Sequence, residues 1–377
     1  MREELKVLFI TRFSESDAKK NLYASAAADL VQMQIIRDSE KILGVKNIYY
    51  LNMEPQRFWP YGKLWMRSKV SQSGYTPAYI NLAVLRSIIF SIHVCYFIIK
   101  KRPKVVLAYN SYFFDAIAFV FTRFFICLSV VAIVQDVRTG KAFNCFARLH
   151  DYFSCLLIRY FNFVIPVSEK LAQYIRVKDG LYKVFPGAPT LPSLACTSDV
   201  VGGGGAVFAG ALEAYNGVDR LITTWVEQDI QTTLHIFGRG SLVNLVKKSS
   251  EASNKIVYHG FLSPEEVYEW QATAKFNICL RYPEGLDEEF FFPSKFFNSC
   301  CFPGLLVVNN FKGIPEVMLS SPGLFCDDLL GLKKLDFFSS DDIHAAHLEI
   351  KERISRDYSW EMILSETYSK FNLNSNI

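Results

Sequence analysis

The sequence lacks the marks of several common protein classes. Its nine cysteines are scattered, odd in number and never spaced Cys-x-x-Cys. That pattern suits free thiols in a reducing cytoplasm better than a disulfide frame or a zinc site; the adjacent Cys300 and Cys301 read as helix filling. There is no Asp-x-Asp pair and no ligand cluster, so no metal is expected. His344 and His347 fall three apart on an expected helix and read as surface residues. Met1 to Lys6 is polar, and the apolar run Val7–Thr11 is only strand-length, so no secretory signal is expected. No uninterrupted apolar run reaches the ~20 residues of a membrane span. Ser87–Ile99 stops at Lys100, and Phe113–Val134 is broken by Asp115 and Arg123. Buried helices and strands account for both, with a shallow interfacial helix left open for the first. The glycine run Gly202–Gly205 precedes a strand and has no Gly-Lys-Ser/Thr ending, so it reads as a flexible turn and not a phosphate loop. No Gly-x-Gly-x-x-Gly follows the first strand, which argues against a dinucleotide-dependent dehydrogenase.

What remains is a folded composition. Half of the residues are hydrophobic and 21% are charged, which removes intrinsic disorder from consideration. At 377 residues the chain exceeds one ordinary core, so two domains are expected. Charge divides them. Residues 1–190 hold 26 Lys and Arg against 13 Asp and Glu, a net +13; the remaining 15 and 24 give −9. Halves of opposite charge suggest different partners.

Short β-branched runs alternate with long helical stretches through both halves. Strands are expected at Leu5–Ile10, Asn47–Leu51, Lys104–Ala108, Ser129–Val134 and Phe163–Val167, with residues 54 to 78 irregular. After a Pro- and Gly-rich stretch at 186–205, strands follow at Ala206–Ala209, Thr233–Phe237, Lys255–Tyr258, Phe276–Leu280 and Leu305–Val308. Ser263-Pro-Glu-Glu266 reads as a capped helix start. The alternation predicts an α/β architecture of two doubly wound parallel sheets.

In such sheets ligands sit at the carboxyl ends of strands, where helix N-termini offer amide donors to phosphates. Three loops of the second half qualify. Gly210 permits close backbone approach, and Asn216 is placed to cap the following helix. Gly238-Arg239-Gly240 sets a guanidinium between two flexible positions. Pro293-Ser294-Lys295 opens a helix with a hydroxyl and a cation near free amides.

The order of these loops resembles the retaining glycosyltransferases of family 4. Phe208-Ala-Gly-Ala-Leu212 with Tyr215–Ile222 is similar to that family's first C-domain strand and loop. Ile236-Phe-Gly-Arg-Gly240 is similar to its second glycine loop, and Tyr258–Ser263 to the segment that lines the nucleotide base. Phe292-Pro-Ser-Lys295 resembles the start of its donor helix, and Gly313-Ile-Pro-Glu316 its Gly-x-Pro-Glu. Ile165–Ser168, Val184–Gly187 and Ser359-Trp-Glu361 resemble the last N-domain strand, the crossing and the closing helix. The chain departs from the pattern in places. Asn298 stands where a carboxylate is usual, and Phe290 where the family's first Glu would be, with Glu288 and Glu289 beside it. Ala211 and Asn216 replace the family's Arg and Lys near the diphosphate. The N-domain His is replaced by Gln135, followed by Asp136.

The resemblance implies the GT-B fold, two Rossmann-like domains facing across a cleft. It implies an N-terminal acceptor domain at 1–185, a donor domain at 186–357 and a helix at 358–377 crossing back to the first domain. It implies transfer from a nucleotide-diphosphate sugar to a glycan or lipid-diphosphate-linked acceptor, in cell-surface polysaccharide or glycolipid synthesis, with no cofactor beyond that co-substrate and no nucleic acid. The donor-site candidates are Gly210, Asn216, Gly238, Arg239, Tyr258, Ser294, Lys295, Asn298 and Glu316; the catalytic candidates are Glu289, Glu288 and Asp136. Arg239 or Arg281 would assist Lys295 in neutralising the diphosphate. Aromatic and basic residues at 57–69 and the cations Lys100 to Lys104 predict a cytoplasmic enzyme, peripheral on an anionic inner membrane face. A GT-B protein that has lost catalysis and acts as a binding partner is the alternative.

Overall fold

Five runs of the first half are apolar throughout, without the alternation of a half-exposed strand. A parallel sheet covered on both faces demands that pattern. In the computed structural model, which describes residues 5–14, 26–71, 73–139, 144–190, 204–282, 290, 292, 294–312, 314, 324–326, 329 and 331–373, these runs become buried strands. The first unit takes the chain up to Pro186, Phe290 and the residues from Trp360 onward; the second takes the remainder from Gly187 to Ser359.

The first unit runs β1 (Val7–Thr11), α1 (Ala26–Leu43), β2 (Ile48–Asn52), then short strands β3 (Trp65–Met66), β4 (Lys69–Val70), β5 (Gly74–Thr76) and β6 (Tyr79–Ile80). It continues with α2 (Ala83–Lys101), β7 (Val105–Tyr109), α3 (Phe113–Arg123), β8 (Ser129–Val134), α4 (Cys145–Ile158), β9 (Phe163–Pro166) and α5 (Glu169–Ile175). Residues 54 to 78 are thus not wholly irregular: β3 pairs β6, and β4 extends the sheet through β5. Those strands are only two or three residues long, too short for a periodic signal. The seven-stranded sheet has the order β4-β5-β2-β1-β7-β8-β9. All its pairs are parallel except β4 with β5.

Right-handed crossovers fix which face each helix covers. The chain passes from β1 to β2 in one direction and from β2 by way of α2 to β7, β8 and β9 in the other. So α2, α3 and α4 share one face and α1 lies on the opposite one. The contacts agree: α2 packs on α3, α3 on α4, and α1 on the closing helix Trp360–Leu373. That helix buries Trp360, Ile363, Leu364, Thr367 and Tyr368, the i, i+3, i+4 stripe of an amphipathic helix. Trp360 meets Phe185 edge-on at 4.8 Å, and the Tyr368 hydroxyl bonds Ser39 Oγ at 2.7 Å.

Helix α2 departs from the expectation of a buried helix. It is long and apolar enough to cross a membrane on length and composition alone, yet only Phe90, Ser91, Val94 and Ile98 are buried along it. The sheet claims one side of the helix; the other remains open.

The second unit runs β10 (Ala206–Ala211), α6 (Val218–Glu227), β11 (Leu234–Arg239), α7 (Val243–Ala252), β12 (Ile256–Tyr258), α8 (Pro264–Thr273), β13 (Phe276–Cys279), α9 (Ser294–Ser299), β14 (Leu305–Asn309), β15 (Leu324–Cys326) and α10 (Ser340–Asp357). Its sheet order is β12-β11-β10-β13-β14-β15, parallel throughout. Ser263 caps α8 in a full capping box with Glu266 and Pro264 at the first turn, as the sequence predicts. His347, expected at the surface, is buried. It falls four residues after Ile343 on the stripe Ile343, Ala346, Ile350, Ile354 with which α10 faces the core, so helical period outweighs its polarity.

Strands β10 and β11 meet in register as Gly210 opposite Gly238. A Cβ on Gly238 would stand 1.7 Å from the Gly210 carbonyl oxygen, and Gly238 has φ +139°. Both conditions require glycine.

Two predictions follow from this packing. Trp360→Ala lowers the unfolding free energy of the first unit by about 3–5 kcal/mol, and Tyr368→Phe, which strands the buried Ser39 hydroxyl, by about 1–3 kcal/mol. Denaturant titration reads both, with nucleotide binding unchanged. Gly238→Ala combines strain of about 1–3 kcal/mol with a backbone collision. Gly260→Ala, at φ +79° with nothing within 4 Å, carries the strain alone. In thermal unfolding Gly238→Ala is the worse of the two; equal losses would mean that the β10–β11 contact is loose.

Candidate functional site

The strand order of the second unit reverses direction between β10 and β13, which places a topological switch point at their carboxyl ends. The residues there form one connected group. A Cβ on Gly210 would lie 1.9 Å from Lys295 Nζ, so the ammonium rests on bare backbone at the end of β10. Lys295 keeps solvent contact, yet protein surrounds its ammonium. Desolvation is the largest cause drawing its pKa down, to about 8, with Arg281 pushing the same way and Cys279 opposing. Solvent at the open side screens part of that effect. Two cations that lower each other's readiness to stay charged make a site that favours an anion.

Arg281 follows β13. Its guanidinium reaches Asn216 Oδ1 at 3.4 Å and lies 4.9 Å from the Tyr215 ring centre, while Asn309 Oδ1 accepts from its backbone N–H at 2.7 Å. Asn216 does not cap α6, contrary to the sequence reading. Its Nδ2 donates to the Ala211 carbonyl at 2.8 Å, and Gly217 holds the N-cap position with no side-chain bond. The reason is local: Ala214–Asn216 form a 3-10 turn, and Gly217 must be bare because a Cβ would meet the Tyr282 ring at 2.3 Å. Asn216 thereby ties the β10 loop to Arg281, close to Lys295.

The remaining donor candidates divide. Gly238 lies opposite Gly210, and the Tyr258 hydroxyl donates to the Gly238 carbonyl at 2.9 Å, so Tyr258 holds the turn with its polar end. Arg239 stacks 4.5 Å from the Phe261 ring centre; the contacts described bring Arg281, not Arg239, to Lys295. Asn298 has its amide engaged: Oδ1 accepts from Thr190 N–H at 2.9 Å and Nδ2 donates to Thr190 Oγ1 at 3.3 Å. It clamps the chain entering this unit. Ser294 opens α9, its side chain lying outside the description. Glu288, Glu289 and Glu316 lie outside the described residues.

A pair that sequence reasoning did not single out flanks β11 and β12. His235 Nδ1 and His259 Nε2 are 2.9 Å apart, with His259 stacked 4.5 Å from Phe237 and 4.6 Å from Trp270. Burial lowers both pKa values, so the rings share one hydrogen bond in neutral form.

The first unit carries its own cavity, of about 290 Å³, at the carboxyl ends of β1, β7 and β8, the switch point of that sheet. Three guanidiniums line it. Arg12 pairs with the buried Asp115 and lies 3.7 Å over the Tyr112 ring. Arg138 grips Asp151 through both nitrogens, at 2.9 and 2.6 Å. Burial pushes the Asp151 carboxyl up, but these bonds and His150 hold it down at about 2. Arg86 donates to the Gln56 carbonyl at 3.0 Å and to Asn81 Oδ1 at 3.3 Å and covers the Phe58 ring at 4.0 Å; no carboxylate among the described residues forms an ion pair with it. Asp136 receives a hydrogen bond from Asn110 Nδ2 at 2.7 Å. Its edge is wetted, but desolvation, with Asp151 adding, raises its pKa to about 6 against the pull of Arg138. Asp29 is raised to about 6 as well, chiefly by burial. The sequence pointed to Asp136 only; Arg12 and Arg138 each follow a strand end, which is the signal that marks them.

No protein-family description matches the sequence, and no curated protein matches it. Solved structures do. HepE from Anabaena in complex with UDP aligns with a TM-score of 0.65 and 12% identity, over 97% of this chain and 100% of that one. Sucrose-phosphate synthase from Thermosynechococcus elongatus aligns with a TM-score of 0.65 and 11% identity, over 97% and 99%. WaaG, a glycosyltransferase involved in lipopolysaccharide biosynthesis, aligns with a TM-score of 0.58 and 10% identity, over 96% and 99%. At such identities the likeness is one of fold, and the fold is that of the GT-B glycosyltransferases: two Rossmann-like units, each built on a parallel sheet, the first with one antiparallel edge strand.

Proposed function

We propose that the chain is a glycosyltransferase of the family 4 type, moving a sugar from a nucleotide-diphosphate sugar to a hydroxyl of a glycan or lipid-linked acceptor. The observation that carries this reading is Lys295 Nζ resting on Gly210 beside Arg281 at the switch point of the second unit. As the bond from the sugar C1 to the diphosphate breaks, negative charge builds on the leaving oxygen. Lys295 and Arg281 stabilise that charge from fixed positions, without a side-chain nucleophile and in place of a metal. The acceptor oxygen bonds C1 and passes its proton to the departing phosphate oxygen, and nucleoside diphosphate leaves. UDP is the first nucleotide to test, because HepE was solved with it. Retention of configuration follows the sequence resemblance, as does a role in cell-surface polysaccharide or glycolipid synthesis on the cytoplasmic side. Glu289, with Glu288 as its neighbour, is assigned to the sugar hydroxyls, and Glu316 and Ser294 to the nucleotide. The first unit's cavity, with Asp136 at its edge, is assigned to the acceptor. The occupied amide of Asn298 favours one alternative, a GT-B protein that binds nucleotide without turnover.

Calorimetry with UDP and release of UDP from a nucleotide-sugar panel test the reading. Lys295→Ala weakens binding or turnover by about tenfold to a hundredfold, the loss of a charged hydrogen bond of about 1.5–3 kcal/mol. The lowered pKa gives a sign: the ammonium is lost as pH rises through about 8, so affinity falls above that point by no more than the Lys295→Ala loss, and Lys295→Arg removes the fall. Of Glu288→Gln and Glu289→Gln, one lowers kcat strongly and the other little. Binding without release from any sugar nucleotide selects the inactive alternative, and no nucleotide binding refutes both.

A further inference from the structure

Helices α2, α3 and α4 cover one face of the first sheet, and their outward sides are apolar where solvent should make them polar. Along α2 the residues Ile88, Ile92, Tyr96 and Ile99 form a single exposed stripe, with Ile92 62% exposed. On α3 the stripe is Ile117, Phe121 and Phe124, the last 81% exposed, with Phe125 beside Phe121 at 5.1 Å. On α4 it is Phe146, 87% exposed, with Leu149 and Phe153. These are positions three or four apart, so each stripe lies on one side of its helix. Because the three helices form one layer against one sheet face, the stripes open to the same side. Helix α2 has 19 residues and is about 28 Å long. Three helices at about 9 Å spacing make a surface of several hundred Å², at or above the ~300–600 Å² of the largest patch on an ordinary monomer.

Charge identifies what covers it. Residues 82–162 contain ten Lys and Arg against three Asp and no Glu. Asp115 and Asp151 are paired inside the fold, on Arg12 and Arg138, and Asp136 accepts from Asn110 at the wetted edge of the cavity. The cations Lys100, Arg102, Arg123 and Arg148 are exposed among the apolar residues. Trp59 and Trp65 are also exposed; Trp59 is held to the start of α2 by its N–H bond to the Asn81 carbonyl, and Trp65 by the pairing of β3 with β6. A protein partner would have to answer four cations with carboxylates at fixed places. An anionic bilayer answers them anywhere, and half-buried aromatic rings with flanking Lys and Arg are the composition suited to its headgroup region. The same helices line the cavity assigned to the acceptor, with Arg86, with Tyr112 at the start of α3, and with His150 and Ser154.

We infer that the outward face of α2, α3 and α4 docks on an anionic lipid bilayer. This extends the transferase reading by naming the surface that supplies its acceptor, and its test needs no turnover. The full chain is sedimented with phosphatidylcholine vesicles with and without phosphatidylglycerol, at low and high salt, and UDP affinity is measured in parallel. Expected are binding that needs phosphatidylglycerol, falls with salt, and drops at least tenfold in Phe121→Glu with Phe124→Glu and, separately, in Phe146→Glu. The exposed positions leave folding intact, which circular dichroism checks. Replacing Lys100 and Arg102 by Gln lowers binding by about tenfold or more and keeps the apolar face, so it reports on charge alone. UDP affinity stays unchanged in all of these, which separates the failure of this inference from the failure of the donor site. Protein that remains in the supernatant at low salt overturns the inference, and so does binding indifferent to the variants. A dimer that Phe121→Glu dissolves, with no lipid binding, overturns it in favour of a second copy of this chain.

Discussion

The candidate donor site rests on an approach of backbone to backbone that side chains would forbid. Gly210 and Gly238 lie opposite each other at the ends of β10 and β11, and the space where a Cβ of Gly210 would sit is taken by the ammonium of Lys295. The position of the cation is therefore set by a missing group. Tyr258 secures the turn from one side by bonding the Gly238 carbonyl. From the other, Asn216 bonds Ala211 and meets Arg281. A lysine on a flexible stem is ordinarily free to follow solvent; here its head lies against the bare backbone of Gly210.

The strands were legible because they are buried on both faces, which makes each an uninterrupted apolar run bounded by Pro, Gly or polar residues. Ser129–Val134 has the predicted ends. The loops at strand ends were legible as positions, since glycine at 210 and 238 and lysine at 295 have few other reasons to stand there. What each polar side chain does was less so. Asn216 reads as a cap because its residue type and spacing permit one, but Gly217 in the left-handed region takes the cap position and turns the amide toward Ala211. Tyr258 and Asn298 have hydroxyl and amide groups that sequence assigns to a ligand and that the fold engages internally. His347 reads as polar and is placed by helical period. In each case a nearby backbone group or core position competes for the side chain, and a linear pattern does not record that competition.

The first unit shows a different balance. Its cavity gathers Arg12, Arg86 and Arg138 with several carboxylates, and the two arginines that have acidic partners are joined to them inside the fold. Asp151, held down at about 2, remains charged, while desolvation raises Asp29 and Asp136 to about 6, which leaves about a tenth of each protonated near neutral pH. Burial lowers the negative charge of the cavity more than its positive charge, because guanidinium does not give up its proton in this range. The four carboxylates of the lining, Asp29, Glu54, Asp136 and Asp151, match or exceed its three guanidiniums, so the positive excess of residues 1–190 lies outside the cavity.

That internal pairing explains the outer face as well. Of the Asp residues between 82 and 162, two are paired with Arg12 and Arg138 and the third, Asp136, lies at the cavity, so none breaks the apolar stripes of α2, α3 and α4. A helix layer that covers a sheet normally turns polar on its far side, because water is its other neighbour. Here the near side is satisfied by the sheet, as Phe90, Val94 and Ile98 of α2 are fully buried, and the far side repeats the same apolar character with cations added. Two apolar sides on one helix call for two apolar neighbours. The sheet is one of them, and the basic, acid-free border of the other side fits a neighbour that is apolar within and negative at its surface.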